Sequence, residues 1–206
     1  MTRNSALPLL FGLLWMACAV APVLANSTRA AALGGDFELT DVQGKRFRLA
    51  EQRGKVVLLY FGYTGCPDAC PTDLLLYRDL LARLGPRKDR LLPLFISVDP
   101  ARDTPRQLAD YVRQFSPDIV ALTGGEKQLR RVARAYGASF SYVGREGSGL
   151  DYTVDHTVSM FLLDSRGHLV GVIPFGTPLD EVQRRVEAVL TIPADVPAPS
   201  RASIPR

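Results

Sequence analysis

Cysteine, histidine and tryptophan are scarce in this chain: its 206 residues include 3, 2 and 1 of them. Chemistry that needs a thiol or an imidazole therefore rests on a few identifiable positions. Internal repeats and low-complexity cores are absent, and nothing in the composition marks a second folded domain. At 47% hydrophobic and 22% charged, the chain can bury one sizeable core. An excess of one charge is also missing, since Lys+Arg 25 against Asp+Glu 21 leaves +4. The arginines are scattered through expected helices rather than grouped in a stripe with aromatics between them. That distribution excludes a nucleic-acid partner, and the basic residues read as solvated helix faces.

What is present begins with one long apolar run. After Arg3, residues 6–25 read ALPLLFGLLWMACAVAPVLA and are followed by the polar NSTR. This is the pattern of an export signal. A run of ~20 apolar residues is also long enough to span a bilayer, although Val23-Leu24-Ala25 suits a signal peptidase. Residues 1–25 are expected to be a signal or membrane anchor, retained in the inner membrane and placing the rest of the chain in a bacterial periplasm. Cys18 lies inside this run and reads as an ordinary apolar residue, which leaves Cys66 and Cys70 to the soluble domain. At the other end, residues 192–206, IPADVPAPSRASIPR, are Pro-rich and expected to be disordered.

Between these ends, strands alternate with helices. Residues 37–39 and 46–49 flank Val42-Gln43-Gly44 as a hairpin, and the apolar runs 56–61 and 92–98 predict buried strands. Residues 73–84 have helical periodicity. Thr104-Pro105-Arg106-Gln107 supplies a cap, a first-turn proline and a capping-box glutamine before a helix to 115. Thr123-Gly124-Gly125-Glu126 repeats that box before a helix ended by Gly137. Residues 119–122, 139–143, 160–163 and 169–173 read as further strands, the last two joined by Ser165-Arg166-Gly167. Thr177-Pro178-Leu179-Asp180 opens a final helix with Leu179, Val182, Val186, Val189 and Leu190 on one stripe. This order is that of an α/β, thioredoxin-like domain over residues 34–190, with a central mixed sheet, helices on both faces and an added N-terminal β-hairpin.

The stretch YFGYTGCPDACPT, residues 60–72, carries the two thiols. They stand four residues apart at the end of a buried strand, each followed by proline. A disulfide, a metal site and a nucleophile are all open on these residues. A disulfide that merely staples so short a loop adds little stability, because the gain scales with the loop closed. Residues before proline favour extended or turn conformations, so Pro71 is expected to be the first helical residue and Cys70 the amino cap. There the helix dipole and free N–H groups favour a thiolate. Two thiolates on a soft cation commonly take an imidazole as third ligand. His168 follows a hairpin turn and reads as an exposed turn residue. His156 enters the strand at 160–163 from the loop GREGSGLDYTVD, where it can meet the cysteines; a satisfied polar residue is the alternative.

Three segments, YFGYTGCPDACPTDL, ISVDPARDTP and DYTVDHTVSMFLLD, closely resemble in order and spacing the signatures of the Sco (SenC/PrrC) family. These are membrane-anchored thioredoxin-fold proteins that serve copper delivery to cytochrome c oxidase, and the resemblance covers about residues 34–190. It implies that Cys66, Cys70 and His156 bind copper, as Cu(I) or Cu(II), and that Asp99, matching the family's VDP aspartate, influences the site without being a ligand. It further implies a metallochaperone whose partners are the copper-bearing oxidase subunit, a thiol reductant protein and other copper carriers. A copper-independent thiol-disulfide oxidoreductase using the same pair is the competing function. One departure stands out: where the family usually has histidine before the first cysteine, this chain has Gly65, which removes an imidazole from the rim.

Overall fold

The structure is a computed structural model that describes residues 33–144 and 152–192. The expected anchor at 1–25, the tail beyond residue 192 and part of the loop before His156 lie outside the described residues. Among the described residues no helix is long and apolar enough to cross a membrane.

The fold grows around one strand that can be buried on both faces. β3 (Val56–Gly62) has no exposed residue and lies between parallel β4 (Leu91–Ser97) and antiparallel β8 (Met160–Leu163). A continuous apolar run suits such a position, because neither face meets water. Beyond β4 lie β5 (Val120–Thr123), β1 (Glu38–Asp41) and β2 (Arg46–Arg48); beyond β8 lies β9 (Leu169–Ile173). The result is a seven-stranded mixed sheet of order β2-β1-β5-β4-β3-β8-β9. β1 and β2 pair antiparallel as the expected N-terminal hairpin.

Side chains of β3 alternate between two cores. Val56, Leu58 and Tyr60 face α1 (Ala69–Leu84), α2 (Pro105–Arg113) and α4 (Leu179–Leu190) through Leu74, Tyr77, Leu108, Val112, Val182 and Val186. Val57, Leu59 and Phe61 face α3 (Glu126–Ala135) through Leu129, Val132 and Ala133. Helices thus cover both faces of a thioredoxin-like sheet, as the alternation of elements predicts.

One piece stands apart from that sheet. β6 (Phe140–Val143) and β7 (Thr153–His156) form a separate two-stranded antiparallel ribbon. Residues 153–156 were expected as the end of a loop, yet Tyr152 and Val154 turn inward in strand alternation and join the core on the α3 face. Two caps also differ from expectation. The box at Thr104 is present in full, but α3 is capped by Gly125, with Thr123 paired to Thr40 in the sheet. α4 begins after Pro178, while the Thr177 hydroxyl donates to the Pro174 carbonyl instead.

Candidate metal centre

The thiols sit where β3 leaves the sheet. β3 ends at Gly62, the chain turns, and the Cys66 N–H donates to the Tyr63 carbonyl at 3.3 Å. α1 then begins at Ala69 with Asp68 at its cap, so Cys70 lies inside the first turn rather than at the cap. Two effects override the bias of a residue before proline: a first-turn proline needs no helical donor, and the Cys70 side chain is fully buried in the apolar core with Leu74. Its N–H points at Cys66 Sγ, 3.4 Å away.

The hydrogen bond between the two sulfurs, with burial of Cys70, inverts the expected charge. The Cys66 thiol is held far below its ordinary range by a hydrogen bond from Cys70, with the backbone N–H groups of Cys70 and Asp68 adding to it. Cys70 is pushed up, first by that same bond to Cys66 and then by burial. The thiolate therefore belongs to the half-exposed Cys66, and the proton to the buried Cys70. Both are free thiols.

The imidazole arrives from the ribbon. His156 ends β7 opposite Phe140 of β6. Its Nδ1 lies 3.1 Å from the Thr157 carbonyl. A carbonyl can only accept, so Nδ1 carries the proton and the Nε2 lone pair is left for the thiols. Nε2 stands 3.5 Å from Cys70 Sγ. Tyr60 and Tyr63 fence the ring edge-on, with centroids 6.1 and 5.7 Å away. The ligand atoms of Cys66, Cys70 and His156 all lie within 4.8 Å of one another. Bonds of about 2.0–2.3 Å hold the donors of one ion about 3.5–4.6 Å apart, so the trio fits a shared cation with little closure. Two sulfurs and an imidazole form a soft set that suits Cu(I). Gly62 makes room for it: a Cβ there would lie 2.7 Å from Cys70 Sγ and 2.7 Å from the Phe95 ring.

Other expected residues fall outside this trio. Asp99 is completely buried and accepts from the Arg102 guanidinium and from the Tyr152 hydroxyl at 2.5 Å. His168 is an exposed residue of the β8–β9 turn, facing Asp164. Gly65 is exposed, and a Cβ there would meet only the Tyr63 ring, at 3.4 Å. Sequence reasoning missed Asp73, Arg102 and Asp103. Asp73 is buried on α1, its Oδ2 without a hydrogen-bond partner, and burial pushes its carboxyl up to about 7. Asp103 accepts from Thr64 N at 3.0 Å, Thr64 Oγ1 at 2.6 Å and Ser97 Oγ at 2.6 Å. Arg102 and Asp103 stand in the quoted VDPARDT, but their burial depends on how the turn folds back.

A thioredoxin-like domain whose thiol pair is met by an imidazole from a distant ribbon defines a class of soft-metal-binding proteins. The chain belongs to the SCO1/SenC family, whose model matches residues 25–191. It is 38% identical over 135 residues to the SCO2-like protein of Rickettsia felis, covering 66% of this chain and 66% of that one. It is 39% identical over 153 residues to mitochondrial Protein SCO2 of Saccharomyces cerevisiae, covering 72% of this chain and 51% of that one. The aligned region thus spans half to two thirds of those relatives' length. Among solved structures it resembles yeast Sco1 with copper bound, with TM-score 0.71 and 35% identity over 81% of this chain and 92% of that one.

Proposed function

We propose that this chain binds copper through Cys66, Cys70 and His156 and passes it to the copper-bearing subunit of cytochrome c oxidase during assembly. The observation that carries the reading is the meeting, within 4.8 Å, of two thiols and an imidazole, with Cys70 and His156 86 residues apart in the chain. The copper-bound yeast relative supports the choice of metal. Residues 1–25 would hold the domain to the membrane on its extracytoplasmic side, where other copper carriers load it.

Each residue has a distinct task. Cys66, half-exposed and ionised, is the sulfur that an incoming carrier meets first. Cys70 closes the site from the buried side and must release its proton as it does so. Binding is therefore proton-coupled and tightens as pH rises. His156 supplies a neutral nitrogen whose tautomer is fixed by the Thr157 carbonyl. Oxidation to a Cys66–Cys70 disulfide would remove both sulfurs, so a thiol reductant protein is a required partner.

Copper titration of the reduced full-length chain in detergent tests this. One copper per chain is expected, and Cys66→Ser or Cys70→Ser abolishes it; unchanged stoichiometry and affinity in either variant refutes the assignment. One observation favours a second reading, a copper-independent thiol-disulfide oxidoreductase: an accessible thiolate beside a buried thiol is the asymmetry such chemistry uses. His156→Ala separates the two. A chaperone loses copper affinity while its thiol potential stays nearly constant, whereas a reductase loses only thermal stability.

A further inference from the structure

Among the described residues the imidazole arm has no strand pairing with the seven-stranded sheet, so the position of His156 depends on packing and on side-chain ties. Arg130 of α3 bonds the Phe140 carbonyl and the Val154 N–H bonds the Tyr63 hydroxyl, but the ties next to β7 that involve charged side chains meet at the turn between β4 and α2. Tyr152, the residue before β7, gives its hydroxyl to Asp99 at 2.5 Å and accepts Arg102 Nη1 on its carbonyl at 2.6 Å. The Arg102 guanidinium also bonds the Asp99 carboxylate and lies 3.8 Å from the centre of the Tyr152 ring. The same turn grips the thiol loop through Asp103, which holds Thr64, two residues before Cys66, and Ser97 at the end of β4.

Resting on the copper-site reading above, we propose that Arg102 is a positioning residue that fastens the histidine ribbon to the β4–α2 turn, and so sets the distance between His156 and the two thiols. Arginine suits this task because its planar fork serves a carboxylate, a carbonyl and an aromatic face at once. Its side chain is 23% exposed and its Asp99 partner 0%, so the pair is shielded from solvent. Asp103 and Arg102 are adjacent in sequence. One short turn therefore registers both arms without touching a ligand atom of the site.

The test uses Arg102→Lys in the reduced full-length chain. Lysine keeps the charge but cannot make the three contacts together. In the metal-free protein, amide exchange over residues 153–156 is expected to rise at least tenfold while that of β3 stays as in wild type. Cu(I) affinity, measured by chelator competition, is expected to fall about 10–100-fold, the usual effect of losing a residue that orients a ligand. The Cys66–Cys70 reduction potential is expected to hold. In a His156→Ala background, Arg102→Lys should weaken copper no further. Unchanged exchange in β7, or a full additional loss in the double variant, overturns the proposal. If Arg102→Lys does not fold, Tyr152→Phe, which removes only the hydroxyl on Asp99, replaces it; faster β7 exchange supports the tie and unchanged exchange overturns it. If wild type holds no copper, the copper-site reading fails, and exchange in the metal-free protein alone decides the role of Arg102.

Discussion

The thiol arm and the imidazole arm of the site are built by different means. The cysteines follow β3, whose backbone pairs with a strand on each side and whose 7 residues are all buried. The histidine ends a 4-residue strand of a two-stranded ribbon that is joined to the body by side-chain bonds, among them a tyrosine–arginine–aspartate tie, the Tyr142 hydroxyl on the Val98 carbonyl, Arg130 on the Phe140 carbonyl and the Val154 N–H on the Tyr63 hydroxyl. A central strand opens only with the whole protein, whereas a ribbon with few ladder bonds opens locally at lower cost. Fold stability and ligand placement are therefore separable here: the first is invested at the sulfurs, the second at the nitrogen.

The largest effect that tests this contrast is expected under the thiol arm. Leu74→Ala, at a fully buried position on α1, should cost about 2–5 kcal/mol in denaturant unfolding. Val154→Ala, within the ribbon strand β7, should cost clearly less, and equal losses would break the comparison. Next comes Asp73, whose buried carboxyl is raised from 3.8 to about 7. Between about pH 4 and 7 the folded protein then holds more protons at this group than the unfolded chain, so its contribution makes stability fall as pH rises. Asp73→Asn should flatten that slope and stabilise the reduced, metal-free protein above pH 7 by roughly 2–4 kcal/mol. A steeper slope, or no gain at pH 8, would count against a buried carboxyl. The smallest effect belongs to Tyr142→Phe, which removes the bond to Val98 at 2.9 Å. It should cost about 0.5–1.5 kcal/mol, read as faster amide exchange in β6 and β7 with β3 unaffected.

Much of the thiol arm was legible in the sequence. The apolar run at 56–61 reads as a buried strand, and the short loop at its end brings the two thiols near each other. Which sulfur carries the charge was not legible, because that depends on Cys70 being packed against Tyr60 and Leu74 inside a helix that starts two residues earlier than Pro71 suggests. The imidazole arm was harder still. His156 was singled out, but four residues with a single buried valine make a weak strand signal, and a separate ribbon shows no distinctive pattern. Nothing in the sequence sets Arg102 and Asp103 apart from other polar residues. Only the folded turn reveals that one pins the ribbon and the other the cysteine loop.

Two glycines three residues apart give this site opposite mutational loads. At Gly62 the missing Cβ is the space occupied by Cys70 Sγ and the Phe95 ring, so even alanine must displace a sulfur or an aromatic side chain. A saturation library scored for copper retention should recover glycine alone at that position. At Gly65 only the edge of Tyr63 comes near, and most side chains, including the imidazole that the family usually places there, should pass the same screen. The wall of the site therefore cannot drift, while its rim stays free to vary.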